Sequence, residues 1–203
     1  MIGRGMAPIG VHLEADALEE LSAIERALVA SFGAARRKAE FVAGRRAARA
    51  ALLALGVVPD AISRADDGAP VVHATTAVVL SISHGERMAF AAATHTGPLG
   101  IDLTDRRDAA RIRRVARRAF PREAERALAL VDDESACRAW AIKEAVAKAL
   151  RIGMLEQSGV ERIEILDLAT LQLRVDGAPP ALSLSIEDVE DGVLAIAGPI
   201  RRP

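Results

Sequence analysis

The 203-residue chain has one cysteine, one tryptophan, four phenylalanines and no tyrosine. A lone Cys137 excludes an internal disulfide and fits a reducing compartment. It reads as a small helix-face residue rather than a nucleophile. With aromatics at 2%, the stacking platforms that single-stranded nucleic acids use are missing. A net charge of −1 gives no overall attraction to a polyanion. No apolar run approaches the ~20 residues that span a bilayer, and the N-terminus lacks the charged-then-apolar pattern of a secretion signal. These absences predict a cytoplasmic protein with no membrane and no nucleic-acid partner. Hydrophobic residues, at 51%, suffice for a core in one domain or two small ones.

Periodicity predicts an amphipathic helix from Asp16 to about Phe32, with Leu18, Leu21, Ile24 and Leu28 on one stripe and Gly33 beyond it. Residues 1–12 read as an edge strand or as disorder. A second helix runs from about Arg36 to Leu55 and stops at Gly56. Its buried face carries Phe41, Ala48, Leu52 and Leu55. Arg37, Arg45 and Arg49 lie on or beside that face. Their stems could cover apolar surface while the heads reach water, or the guanidinium groups could form an anion-binding row.

A turn at Asp67-Gly68-Ala69-Pro70 leads into a strand expected over 71–83, which ends at Ser83 and His84. Met88 to Thr94 is the return strand. Leu99-Gly100-Ile101-Asp102-Leu103 is another short strand, and Asp102 interrupts its apolar run. A carboxylate there is either a strand-end hydrogen-bond acceptor or a metal ligand. An arginine-dense helix follows from Asp105 to about Ala119, then a helix from Pro121 to Leu130. So basic a helix is a solvated face, a docking surface for an acidic partner, or a nucleic-acid patch. The tail alternates into strands at 163–166, 171–175, 181–187 and 193–197.

A weak internal repeat runs through this order. Asp67-Gly68-Ala69-Pro70, then Leu80-Ser81-Ile82-Ser83, then Ala89-Phe90-Ala91-Ala92 matches Asp176-Gly177-Ala178-Pro179, Leu182-Ser183-Leu184-Ser185 and Val193-Leu194-Ala195-Ile196. Each set follows an Ala-rich helix with basic residues. The repeat predicts two related α+β halves, of about 100 residues each.

The helix over 138–150 is the most informative stretch. Ala139, Ile142, Val146, Ala149 and Leu150 make its apolar stripe. Trp140, Glu144 and Lys148 make a second line, four residues apart. An exposed Glu-to-Lys pair is the simplest explanation of that line. The only Trp beside a carboxylate and an ammonium instead suggests a partly covered site. Two carboxylates, Asp102 and Glu144, with no cysteine cluster, suit Mg²⁺ better than zinc. With Lys148, the early arginines, Ser83 and His84, they suit a phosphorylated ligand held through a metal. His84 by itself reads equally well as a structural histidine.

In this order the motifs resemble those of the surfactin/enterobactin-type 4′-phosphopantetheinyl transferases, the larger, two-halved class. Arg37 to Arg49 is similar to the family's arginine helix, Gly68-Ala69-Pro70 to its Gly-x-Pro turn, and Ser81-Ile82-Ser83-His84 to its Ser-His strand. Gly100-Ile101-Asp102-Leu103 is similar to its Gly-Ile/Val-Asp motif, and Trp140 to Lys148 to its Trp-x-x-Lys-Glu-Ala-x-x-Lys motif. The likeness covers residues 36–154.

The resemblance implies an α+β fold of two pseudo-symmetric halves, 1–98 and 99–203. Each half would be a helix on a small, mostly antiparallel sheet, with the active site between them. It implies transfer of the phosphopantetheine arm of coenzyme A to a serine of an apo acyl or peptidyl carrier protein, in fatty-acid, polyketide or nonribosomal-peptide synthesis. Asp102 and Glu144 would hold Mg²⁺, with Mn²⁺ as a substitute. Glu144 would deprotonate the serine, and Lys148 would bind phosphate. Arg37, Arg45, Arg49, Gly68, Pro70, Ser83 and His84 would hold the nucleotide. Arg111, Arg114 and Arg118 would dock the acidic carrier on a monomeric enzyme. Three positions depart from the family pattern: Thr104 replaces a Glu, Ala69 a basic residue, and Arg151 a Gly. Thr104 motivates the alternative of a degenerate, non-catalytic binder of coenzyme A or a carrier protein.

Overall fold

The structure is a computed structural model that describes residues 1–10, 16–153 and 159–200. The expectations on residues 11–12 and on Met154 lie outside these. The chain forms two compact units, Met1–Gly97 and Pro98–Pro203. Among the described residues, no helix is long and apolar enough to cross a membrane.

The first unit opens with β1 (Ile2–Pro8). The helix expected over 16–32 is broken into a 3₁₀ turn at Asp16–Leu18 and α1 (Ala23–Ala30). Ser22 is the reason. Its hydroxyl accepts the Glu25 N–H at 3.3 Å while the Glu25 carboxylate accepts the Ser22 N–H at 2.8 Å, a reciprocal cap that starts a new helix. The buried positions are therefore Leu21, Glu25 and Val29, and Ile24 is exposed. The long helix α2 (Ala35–Leu53) ends at Gly56, where φ is +74° and the Val57 N–H returns to the Leu52 carbonyl at 3.0 Å.

A short strand absent from the sequence reading, β2 (Ala61–Arg64), pairs antiparallel with β3 (Pro70–His73). The strand expected over 71–83 thus divides into β3 and β4 (Val79–His84). β5 (Met88–Thr94) completes a three-stranded antiparallel sheet of order β1-β5-β4.

The second unit repeats this order. β6 (Gly100–Asp105) is followed by a 3₁₀ turn at Arg106–Asp108, then α3 (Ala109–Ala119), α4 (Glu123–Ala129) and the long α5 (Asp133–Leu150). The expected helices from Asp105 and Pro121 both start later than anticipated. After α6 (Gly159–Arg162), β7 (Ile163–Asp167) pairs with β8 (Gln172–Val175). β9 (Ser183–Val189) and β10 (Gly192–Gly198) close an antiparallel sheet of order β6-β10-β9. Each unit is therefore a strand, a long helix, a two-stranded ribbon and a final hairpin. This is the α+β repeat expected from the sequence.

The scarcity of aromatics shapes how these layers meet. The first unit's core is largely Ala43, Ala47, Ala48, Ala51, Ala89, Ala91 and Ala93. Such small side chains fill space only if helix and sheet approach closely. Glycines permit it: a methyl group on Gly5 would overlap the Ala47 carbonyl oxygen, and one on Gly100 the Ala145 carbonyl oxygen. Gly5 lies beside Ala47 and Ala51, and Gly100 beside Ala145 and Ala149, so the two long helices superimpose in sequence with Arg45 opposite Lys143.

α5 is capped by Asp132, which accepts the Ser135 N–H at 2.7 Å. It ends at Arg151 in the left-handed region, with φ of 55°. The following Ile152 N–H bonds back to the Ala147 carbonyl at 2.8 Å. A glycine fits that position with less strain, which is the physical consequence of this departure from the family pattern. Arg151→Gly should stabilise the protein by about 0.5–1 kcal/mol in urea denaturation. Gly100→Ala should destabilise it by roughly 2 kcal/mol or more, because the clash is with backbone.

Candidate active site

In the second unit, alternation along β6 turns Gly100, Asp102 and Thr104 to one face, the face on which Gly100 meets α5. Lys148, from the last turn of α5, places Nζ 2.7 Å from Asp102 Oδ1 and 3.0 Å from the Ile101 carbonyl. Helical spacing had suggested Glu144 as its partner, and the strand carboxylate takes that place. Thr104 Oγ1 donates to Asp102 Oδ2 at 2.8 Å. The residue that replaces the family's glutamate therefore orients the motif aspartate.

Glu144 is half-buried and, among the described residues, makes no hydrogen bond or ion pair. Burial pushes its carboxyl above the ordinary value, and the charge of Asp102 pushes in the same direction, against Lys148 and Arg111. Two carboxylates that repel one another through a partly desolvated space are a donor set that a hard divalent cation would relieve. Among the described residues no group of three or more acidic, His or Cys ligands occurs. A cation here would take its remaining ligands from phosphate oxygens and water. Trp140 is buried, with the Arg111 guanidinium 5.9 Å from its ring centre.

α5 is held in place by a residue to which the sequence reading assigned no role. Lys143 is fully buried. Its Nζ lies 2.8 Å from Glu125 Oε1 of α4 and donates to the carbonyls of Ala119 at 2.9 Å and Val160 at 3.2 Å. Glu125, also buried, accepts the Ile165 N–H of β7 at 2.9 Å. One ammonium thus joins α3, α4, α6 and β7 to the helix that bears Glu144 and Lys148. Burial lowers the affinity of Lys143 for its proton and raises that of Glu125, while their mutual contact opposes both shifts.

In the first unit, a cleft of about 340 Å³ is lined by Arg37, Arg45, Gly68, Pro70 and His84, five of the residues picked out from the sequence. It adds Phe41, expected on the buried face of the long helix, and Phe32, Ser63 and Arg64, to which the sequence reading gave no role. Ser83 faces away from it, buried, because neighbours on β4 alternate. Arg49 does not line it either. Arg49 Nη2 is 2.5 Å, and Arg45 Nε 3.3 Å, from oxygens of the fully buried Glu25. Arg45 also stacks 4.3 Å from the Phe41 ring centre. A carboxylate at a core position of a short helix was the available signal for both Glu25 and Glu125.

This two-unit α+β fold, with its paired carboxylates and a lysine on one strand and one helix, matches a known family along most of its length. Residues 24–94 match the model for the 4′-phosphopantetheinyl transferase N-terminal domain. Residues 98–197 match that of the 4′-phosphopantetheinyl transferase superfamily. The chain is also similar to 4′-phosphopantetheinyl transferase HetI of Nostoc sp. (strain PCC 7120), at 30% identity over 192 residues, covering 90% of this chain and 80% of that protein. The chain belongs to the 4′-phosphopantetheinyl transferase superfamily and is an enzyme of phosphopantetheinyl transfer.

Lys143→Met should cost about 3–5 kcal/mol, because it strands the Glu125 charge in the core. The double change Lys143→Met with Glu125→Leu should recover most of that loss in thermal denaturation. Glu25 gives a pH test. Burial raises its carboxyl, but the Arg49 hydrogen bond and the Ser22 contacts outweigh burial and hold it below its ordinary 4.5. Its contribution is therefore complete above pH 4.5 and fades as the pH falls through the lower folded value. The stability difference between the wild type and Glu25→Gln should shrink over that acid range and stay constant from pH 6 to 8.

Proposed function

We propose that this enzyme moves the phosphopantetheine arm of coenzyme A onto a serine hydroxyl of an apo acyl or peptidyl carrier protein, releasing adenosine 3′,5′-bisphosphate. The observation that carries this reading is the cluster of Asp102, Glu144 and Lys148. It offers two mutually repelling carboxylates for Mg²⁺ or Mn²⁺ and an ammonium for phosphate. When bound, the cation supplies charge neutralisation at the pyrophosphate.

Glu144, with no protein partner among the described residues, accepts the serine proton directly or through a water. Lys148 holds the phosphate and stabilises the departing oxygen. Asp102 is set by Thr104 and Lys148 so that its carboxylate keeps one orientation. The first-unit cleft, with Arg37, Arg45, Gly68, Pro70 and His84, takes the phosphorylated nucleoside.

The nucleophile belongs to the partner, so no Ser-His-Asp or Cys-His set is required. Carrier proteins that are acidic around the modified serine would meet the α3 face of Arg111, Arg114 and Arg118. Arg114 is exposed and, among the described residues, has no ion-pair partner. The two working parts are residues 1–98 and 99–203, and the enzyme acts as a monomer in the cytoplasm.

Incubation with coenzyme A, Mg²⁺ and an apo carrier should yield a carrier heavier by one phosphopantetheine arm in intact-mass spectrometry. A chelator should stop the gain, and added Mg²⁺ or Mn²⁺ should restore it. No gain with any of several carriers would overturn the reading. Glu144→Gln should abolish transfer and leave the melting temperature nearly unchanged. A large loss of stability would make Glu144 structural instead.

A further inference from the structure

Among the described residues, three that are not glycine sit in the left-handed region: Arg151, Leu171 and Asp176, with φ of 55°, 55° and 53°. This backbone costs an L-residue stability and persists where something compensates it. Two of the three are compensated. Leu171 packs against the core of the second unit. Asp176, a residue type that tolerates this region, accepts two hydrogen bonds from Arg162, at 2.9 and 2.7 Å. Arg151 is different. It is exposed, so no packing accounts for it. Its backbone closes α5, with the N–H 3.3 Å from the Lys148 carbonyl, and a glycine there closes the helix without strain. Its charge suits the negative end of the helix dipole, but Lys148 already supplies a cation in that last turn. The arginine is held where the fold requires only a turn.

Its position ties it to the site. Arg151 comes three residues after Lys148, so Trp140, Glu144, Lys148 and Arg151 succeed one another along one side of α5. Exposure rises along that series. Trp140 is buried, Glu144 half-buried, the Lys148 side chain 33% exposed, and Arg151 exposed. The inner members meet Asp102, through repulsion at Glu144 and through the 2.7 Å contact of Lys148. Arg151 stands at the outer end, roughly 10 Å of helix beyond Glu144. A small phosphorylated ligand at Asp102 is within reach of Lys148. A macromolecule whose serine comes to Glu144 spreads its surface farther, past the outer end of α5. An exposed guanidinium on that path suits a carboxylate of the incoming protein, because the planar fork binds it bidentately.

We infer that Arg151 is a carrier-binding residue, which pairs with an acidic side chain about 10 Å from the serine to be modified. The strain at the end of α5 is the stability lost for that contact. This assignment rests on the carrier reading above. It gives the carrier a contact at the far end of α5, apart from the α3 face, at a position where this chain departs from the family pattern.

Steady-state transfer tests it, with the full-length protein, saturating coenzyme A and Mg²⁺, and an apo acyl or peptidyl carrier protein as the varied substrate. Arg151→Gly and Arg151→Asn both suit left-handed backbone. Each should raise the KM for the carrier on the order of tenfold, while the KM for coenzyme A and the kcat at saturating carrier stay close to wild type. Arg151→Lys should keep most of the wild-type affinity. Arg151→Gly should melt higher than the wild type, so affinity falls as stability rises. The wild-type advantage should shrink with added salt. An unchanged carrier KM in the Gly and Asn variants overturns the assignment and leaves the transferase reading standing. A rise confined to the KM for coenzyme A also overturns it and makes Arg151 a phosphate contact. A lower melting temperature in the Asn variant with the carrier KM unmoved makes Arg151 a helix-terminal charge and overturns it as well. If the wild type transfers to none of several carriers, the carrier reading falls and takes the assignment with it.

Discussion

A buried carboxylate–cation pair fastens each unit: Glu125 with Lys143 in one, Glu25 with Arg45 and Arg49 in the other. Burying charges is expensive, and such pairs often add little net stability over apolar residues of the same volume. Their effect here is positional. A core built mainly of alanine has few large side chains whose shapes could select one rotation of a helix against a sheet. An ammonium that must reach Glu125 and two carbonyls at once permits one rotation only. Glu144 follows Lys143 directly in the chain, so the clamp that sets the helix rotation also sets the direction of Glu144.

The chemistry depends on a second constraint, the alternation of β6. Because Gly100, Asp102 and Thr104 share a face, one glycine brings α5 close. The residue two places on then meets Lys148, and the next orients the carboxylate. The threonine that looks from sequence like a lost ligand is a hydrogen-bond donor to Asp102. Thr104 therefore does not argue against catalysis.

The repeat makes the division of labour between the long helices plain. The positions of Glu144 and Lys148 in α5 correspond to Arg46 and Ala50 in α2, counted from the glycine contacts. The fold occurs twice and the Glu-Lys line occurs once. Arg46 spends its guanidinium on an exposed double contact with Glu20, at 2.8 Å to each oxygen. Both units thus retain the fastening, the first beside a cleft and the second beside the contact of Lys148 with Asp102.

Periodicity and turn residues by themselves determined the long helices, most strands and the α+β repeat, because apolar spacing and glycine placement are local properties. Motif order determined the family, and with it Asp102, Glu144 and Lys148 as the residues to watch. The Ser22–Glu25 cap that splits the first helix is local too, three residues apart, but it outweighs the hydrophobic stripe, and β2 was too short to show a period. Other features were decided only by tertiary structure. Arg45 and Arg49 turned inward to Glu25, and Lys148 chose Asp102, 46 residues away, over Glu144 on its own helix face. Each of these turns on which distant group satisfies a charge. That choice is made by the packing of elements and leaves no trace in local spacing.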